Sequence, residues 1–186
     1  MAEIAGLKLI VPSSVSATGT ATASVSASGK VTITGINSTN TISVEGVWSS
    51  TYDNYLIVFR STVGTAGVVA MRLRVGGSDA SGSNYTTQSL DASGATVAGA
   101  RSTSQTFFRW NANSNHTGHH VYVYGPNLAQ PTAVRNVSVT DISSARIIDY
   151  ANTHSLSTAY TGFTLYGVDP SPAVIDAKFC VYGLSQ

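Results

Sequence analysis

Three histidines lie within five residues near the middle of the chain, at His116, His119 and His120. Imidazole nitrogens bind Zn²⁺ and Ni²⁺, so this cluster is the most suggestive metal-like feature of the sequence. A closed metal site usually draws its ligands from separate elements, however, and residues 111–115 before the cluster are only Asn, Ala and Ser. We therefore expect a solvent-exposed loop that holds no metal, and we keep His116 and His119 as candidate ligand-contact residues.

Aromatic side chains near predicted turns form a second set of candidate ligand contacts. Exposed Tyr and Trp beside Asn suit carbohydrate, because sugar rings stack on aromatic faces while amide groups bond the hydroxyls. The candidates of this kind are Trp48, Tyr52, Tyr85 and Trp110. The alternative is that these rings close the ends of a hydrophobic core, and for any single residue it is the simpler interpretation.

The sequence contains no recognisable catalytic constellation. There is no Gly-x-Ser-x-Gly elbow, and no glycine-rich phosphate loop leads into a helix. The histidine nearest to an acid in sequence is His154, five residues after Asp149, and we interpret the two as part of a polar corner. Cys180 is the only cysteine, which excludes an internal disulfide. We expect a non-enzymatic protein with no catalytic residue and no cofactor.

The composition narrows the classes of partner. Of the 186 residues only 10% are charged, against about 25% in an average domain, and the net charge is +1. Such a chain has no strong positive electrostatic potential that would attract the phosphates of nucleic acid, so we expect no nucleic-acid partner. No apolar run reaches the roughly 18–20 residues of a membrane helix, and we expect no membrane insertion. A surface covered by Ser, Thr, Asn and Gly is typical of extracellular and virion β-proteins.

Hydrophobic periodicity predicts strands almost everywhere. In residues 69–75, Val69, Met71, Leu73 and Val75 alternate with Ala and Arg, which predicts a strand with one face in the core. Further predicted strands are Tyr55–Phe59, Thr106–Trp110, His120–Tyr124, Ala133–Val139, Arg146–Tyr150, Phe163–Val168 and Lys178–Tyr182. Turn residues separate them, as at 64–67, 76–79, 91–94, 125–127 and 169–172. The pattern predicts an all-β protein, an antiparallel β-sandwich of jelly-roll type.

The first forty residues differ from the rest. From Ser13 to Ser28 the chain is almost wholly Ser, Ala, Thr, Val and Gly, and such a segment cannot bury enough surface to fold alone. We predict an extended N-terminal attachment arm over residues 1–30 and a β-sandwich body over residues 31–186. The alternative, which the sequence leaves open, is that the arm is the first strand of the same sandwich.

From about Gly29 onward the chain resembles the short β-rich minor tail proteins and tail-fibre modules of tailed phages, especially those of actinobacterial hosts. The order and spacing of the similar pieces carry this resemblance more than any one of them. The pieces are Ser43–Tyr55, Met71–Arg74 with Gly77–Asp79, Tyr124–Pro126, Asp149–His154, Tyr160–Thr164 and Val181–Gly183.

The resemblance implies a virion structural protein, a minor tail or tail-fibre module, with host-surface glycans as candidate ligands. Two alternatives remain: a capsid decoration or head-fibre protein, and a free lectin-like binding module. We expect a homotrimer, because weak charge repulsion favours association and phage appendages are usually symmetric. The arm would bind phage tail or capsid proteins by strand addition. The expected location is the virion surface, after assembly in the host cytoplasm.

Overall fold

The computed structural model describes residues 6–63, 67–112, 115–140, 145–168 and 174–185. These residues form sixteen β-strands and no helix, so the described part of the chain also contains no helix that could span a membrane. Two antiparallel sheets pack against each other around one hydrophobic core. The predicted all-β antiparallel sandwich is confirmed.

The larger sheet has ten strands among the described residues. In order across the sheet these are β10 (Thr96–Gln105), β9 (Tyr85–Ser93), β14 (Arg146–His154), β13 (Thr132–Thr140), β12 (Asn115–Tyr124), β6 (Asn54–Val63), β16 (Ile175–Leu184), β4 (Val31–Ile36) and β3 (Thr22–Val25). The tenth strand, β1 (Leu7–Ile10), pairs with the C-terminal half of β16. The strand pairs are antiparallel throughout.

The smaller sheet covers one face of the larger one and has six described strands. Their order is β11 (Phe108–Ala112), β7 (Gly67–Val75), β15 (Gly162–Val168), β5 (Ile42–Glu45) and β2 (Ser14–Ala17), and the short β8 (Ser78–Asp79) pairs with β7. We call the face of the larger sheet that is turned away from the smaller sheet the outer face.

Period-two alternation places the core between the sheets. On β6, the side chains of Tyr55, Ile57 and Phe59 are buried. The side chains of Val58 and Arg60, on either side of Phe59 in the strand, are exposed on the outer face. Aromatic rings fill much of the interior, and Phe59 stacks on a ring of the neighbouring strand β16 at 5.8 Å between centroids. The outer face thus consists of the alternate residues of ten strands, and their chemistry is the surface that the protein presents.

The N-terminal segment lies along the edges of both sheets. Strand β1 pairs with β16, β2 with β5, and β3 with β4, so the chain alternates between the two sheets from residue 7 to residue 25. The predicted boundary at residue 30 is crossed by the β3–β4 pairing. The described part of the segment therefore consists of strands of the sandwich, which is the alternative that the sequence left open. Its role as an attachment segment stays a prediction.

The predicted strands are all present, but two long ones were missed. Strands β9 and β10 form a hairpin whose residues are mostly small and polar, so no hydrophobic alternation marks them. The turn predicted at 91–94 falls later, because β9 continues to Ser93 and the chain reverses at Gly94, which has a φ of 58°. The turns predicted at 64–67 and 169–172 lie outside the described residues, except for Gly67.

Candidate functional site

The histidine cluster belongs to strand β12, so the prediction of a loop is wrong. His116, Gly118 and His120 lie on the outer face, whereas Thr117 and His119 point into the sandwich. Because the inward-facing side chains in this half of β12 are polar, the sequence shows no alternation of apolar and polar residues there, which is the usual signal of a strand. The alternation also separates the histidines, because successive side chains point to opposite faces of the sheet.

His119 is an interior residue with 2% of its surface exposed. Its Nδ1 lies 2.8 Å from Ser138 Oγ, and its ring contacts Phe59 at 5.4 Å and Trp110 at 6.1 Å between centroids. Burial lowers the pKa of this imidazole to about 3. At neutral pH His119 is therefore an uncharged core residue, and it is not open to an external ligand.

The predicted carbohydrate contacts are mostly core residues too. Trp48, Tyr85 and Trp110 are each exposed by 2% or less, so none of these rings offers a face on which a sugar could stack. Tyr52 is half-buried against the core, with its ring 6.1 Å from that of Tyr55. Of the six candidate ligand contacts, only His116 lies exposed, and Tyr52 lies partly so.

The acid–histidine pair named from the sequence is separated by the sheet. Asp149 lies on the outer face of β14, where its Oδ2 is 2.6 Å from Nη2 of Arg135. His154 lies on the inner face, buried beside Tyr85 and Tyr160. Within the described ranges, no group of three His, Cys, Asp or Glu side chains could hold a metal ion. The two side chains therefore do not meet, and the predicted polar corner of Asp149 and His154 is wrong, because five residues of a strand place them on opposite faces of the sheet.

The exposed His116 forms one wall of a cleft of about 310 Å³ on the outer face. Arg60 on β6 and Lys178 on β16 lie directly opposite each other across the two strands and line the same cleft. Thr62 and Asp176 complete its wall, and Thr62 Oγ1 is 2.9 Å from Nδ1 of His116. We call these five residues the basic groove. The sequence analysis did not identify Arg60 or Lys178.

A β-bulge shapes one side of the basic groove. Between β4 and β16 the pairing shifts from Ile36 with Ile175 to Ile33 with Ala177, which leaves one extra residue on β4. Gly35 in the bulge has a φ of 75°, and its N–H donates to Asp176 Oδ1 at 2.9 Å. Bulges often stand beside functional sites because they redirect side chains. Here the bulge engages the one carboxylate that lines the groove.

A second depression, of about 450 Å³, continues the groove across β12 toward β13. Its outer-face lining includes Val58, Val137 and Val139, and it shares Arg60 and His116 with the basic groove. The hollow exists because the residue at its centre is a glycine, Gly118, where an added Cβ would meet no atom within 4 Å. We call Val58, Gly118, Val137 and Val139 the apolar depression.

The two cations of the groove form no ion pair within the described part of the chain, although the carboxylate of Asp176 lines the same groove. Among the described residues, neither Arg60 nor Lys178 makes an ion pair within 4 Å, and the carboxylate of Asp176 is engaged by the backbone of Gly35. The outer-face Arg135, by contrast, is paired with Asp149 through two hydrogen bonds. Chemically, the groove can therefore accept an anion.

Comparison with known proteins adds no further site. No family model matches this chain, and no curated protein matches it. The resemblance to phage tail modules stays a prediction.

Proposed function

We propose that the protein is a non-enzymatic structural module of a virion surface, a minor tail or tail-fibre component of a tailed phage. In this role it contacts host-surface carbohydrate with the outer face of its large sheet. The observation that carries the proposal is the pair of connected, open hollows on this face, the basic groove and the apolar depression.

The dimensions of the outer face favour a polymer as ligand. The two hollows extend from β4 to β13, five adjacent strands. Four strand spacings of about 4.8 Å amount to roughly 19 Å, which is long enough for several linked sugars. The lining residues lie on paired strands, which hold side chains more rigidly than loops do. An open groove on a rigid sheet suits adhesion to a chain molecule.

An apolar row beside the hollows favours attachment to other proteins. Val97 of β10, Leu90 of β9 and Ile147 of β14 lie on the outer face of three adjacent strands, and each is more than half exposed. Large exposed apolar patches are typical of protein contact sites. The row suits contact with further copies, as in the expected homotrimer, or with tail or capsid proteins.

Quantitative mass spectrometry of purified phage particles, combined with antibody labelling in the electron microscope, tests this function. We expect several copies per particle, with the label at the tail. Label on the shell would favour the capsid decoration alternative. A protein that is absent from particles but binds glycans would be a free lectin-like module, and the virion proposal would be wrong.

A further inference from the structure

We propose that the basic groove binds a carboxylate group of an acidic polysaccharide, whose adjoining sugar ring lies in the apolar depression. The inference rests on the proposed contact with host-surface carbohydrate and names the chemical class of that carbohydrate. It assigns the outer face a binding site made of side chains from β6, β12 and β16.

Arg60 and Lys178 place two positive charges side by side on neighbouring strands. Like charges directly opposite each other on adjacent strands destabilise a sheet, so this arrangement has a cost in the free protein. An anion between the guanidinium and ammonium groups removes that repulsion and gains charge-assisted hydrogen bonds from both. Asp176 forms no ion pair with either cation within the described residues, and its carboxylate accepts from the Gly35 N–H, so it offsets this repulsion only in part.

Further hydrogen-bonding side chains around the cations complete the site. The hydrogen bond between His116 and Thr62 uses Nδ1 of the imidazole, so Nε2 is the ring nitrogen that a ligand can reach. Thr32 and Thr34 line the far side of the groove and carry hydroxyl groups. An anionic sugar offers its charged group to the cations and its ring hydroxyls to these side chains, whereas a simple inorganic anion has no adjoining ring.

Gly118 provides the space next to the charge. Its outer face is open, since a Cβ there meets nothing within 4 Å, and its backbone does not lie in the left-handed region that favours glycine. The flanking Val58 and Val139 are 39% and 58% exposed. A sugar ring presents an apolar face of C–H groups, and this hollow buries it beside the anion.

The charge count separates this ligand from nucleic acid. The groove has two strong cations and one carboxylate, and the chain as a whole has a net charge of only +1. Binding a phosphate backbone draws on many cations at once and gives a steep salt dependence. Two cations suit one anionic group at a time, with the remaining contacts made by neutral sugar.

Isothermal titration calorimetry of the full chain with a short oligogalacturonate tests the inference. A neutral galactose oligomer and inorganic phosphate serve as the comparison ligands. The variants are Arg60→Gln and Lys178→Gln in the groove, Gly118→Val in the depression, and Arg101→Gln as the matched control. Arg101 is exposed on the same sheet face, on the edge strand β10, so it reports the loss of one charge outside the groove.

We expect the uronate to bind wild-type protein at least tenfold more tightly than the neutral oligomer or phosphate. Each groove variant should weaken uronate binding tenfold or more, and Gly118→Val should do so while leaving Tm unchanged or higher. Arg101→Gln should change it by less than twofold. Tighter binding of phosphate would show a bare anion site without a sugar subsite, and equal losses in all three charge variants would show diffuse attraction. Either result, or no binding, overturns the inference, whereas the particle experiment tests the virion role separately.

Discussion

Replacing the buried His119 should reduce the acid sensitivity of the fold. In the unfolded chain a histidine has a pKa near 6.5, whereas burial lowers the pKa of folded His119 to about 3. As the pH falls below 6.5, His119 binds a proton in the unfolded state but stays neutral in the folded state. The contribution of neutral His119 to stability is therefore full above pH 6.5 and is lost progressively between pH 6.5 and pH 3.

The size of the effect follows from the same two values. One pKa unit corresponds to about 1.4 kcal/mol, so lowering the pH from above 7 to 5 costs about 2 kcal/mol through His119 alone. The surroundings explain why the folded state stays neutral, because Phe59 and Trp110 flank the ring and the nearest polar partners are the hydroxyls of Ser138 and Ser61. No acidic side chain is hydrogen-bonded to this imidazole in the described structure.

The assay is urea unfolding of wild type, His119→Gln and His120→Gln at pH 8 and pH 5. We expect the loss of unfolding free energy between the two pH values to be about 2 kcal/mol smaller in His119→Gln than in wild type. His120 is the matched control, because it is the next residue of β12 but lies exposed on the outer face. An unchanged pH dependence in His119→Gln would refute the buried, neutral state of this ring. Burial lowers the pKa of His154 as well, and that contribution cancels because the residue is present in every variant.

Three further predictions concern the core, the N-terminus and assembly. In denaturant titrations, Trp110→Ala should lower the free energy of unfolding by about 3–5 kcal/mol, and Tyr52→Ala should lower it by less, because only the Trp110 ring is fully buried. Equal losses in the two variants would contradict this prediction. Deleting residues 1–28 should leave a protein that is still β-rich by circular dichroism but no longer joins the particle. Its free energy of unfolding should fall by roughly 2–5 kcal/mol, because three edge strands with little buried apolar surface are lost. Failure to fold would show that these strands are indispensable. Light scattering should give a trimer that Ile147→Lys weakens, whereas a wild-type monomer of 19.3 kDa would contradict the proposed assembly.

Several features of the fold were predictable from local sequence. The alternation of Val69, Met71 and Leu73 with polar residues marked a strand, and the strand is there with Arg72 and Arg74 on its other face. This works because a strand with one buried face must repeat with period two, whatever its partners are. Strands β9 and β10 escaped prediction because their small polar residues carry no such signal.

The N-terminal segment shows a second limit of local sequence. Residues 13–28 have too little apolar surface to fold alone, which favoured an arm. In the structure they pair with β5 and β4, whose hydrogen-bonding edges would otherwise be open. A strand of this kind is held by main-chain hydrogen bonds to a partner that is distant in sequence, and side-chain composition does not report those bonds.

The amino-acid sequence by itself determined the class of the fold, the low surface charge and the alternating faces of most strands. Only the tertiary structure decided which side chains are available for function. It buried Trp48, Trp110 and His119 between the sheets and placed Arg60 beside Lys178, which is 118 positions away in the chain. Strand alternation says that a residue points to one face or the other, but sheet order and register decide which face is covered and which residues meet on it.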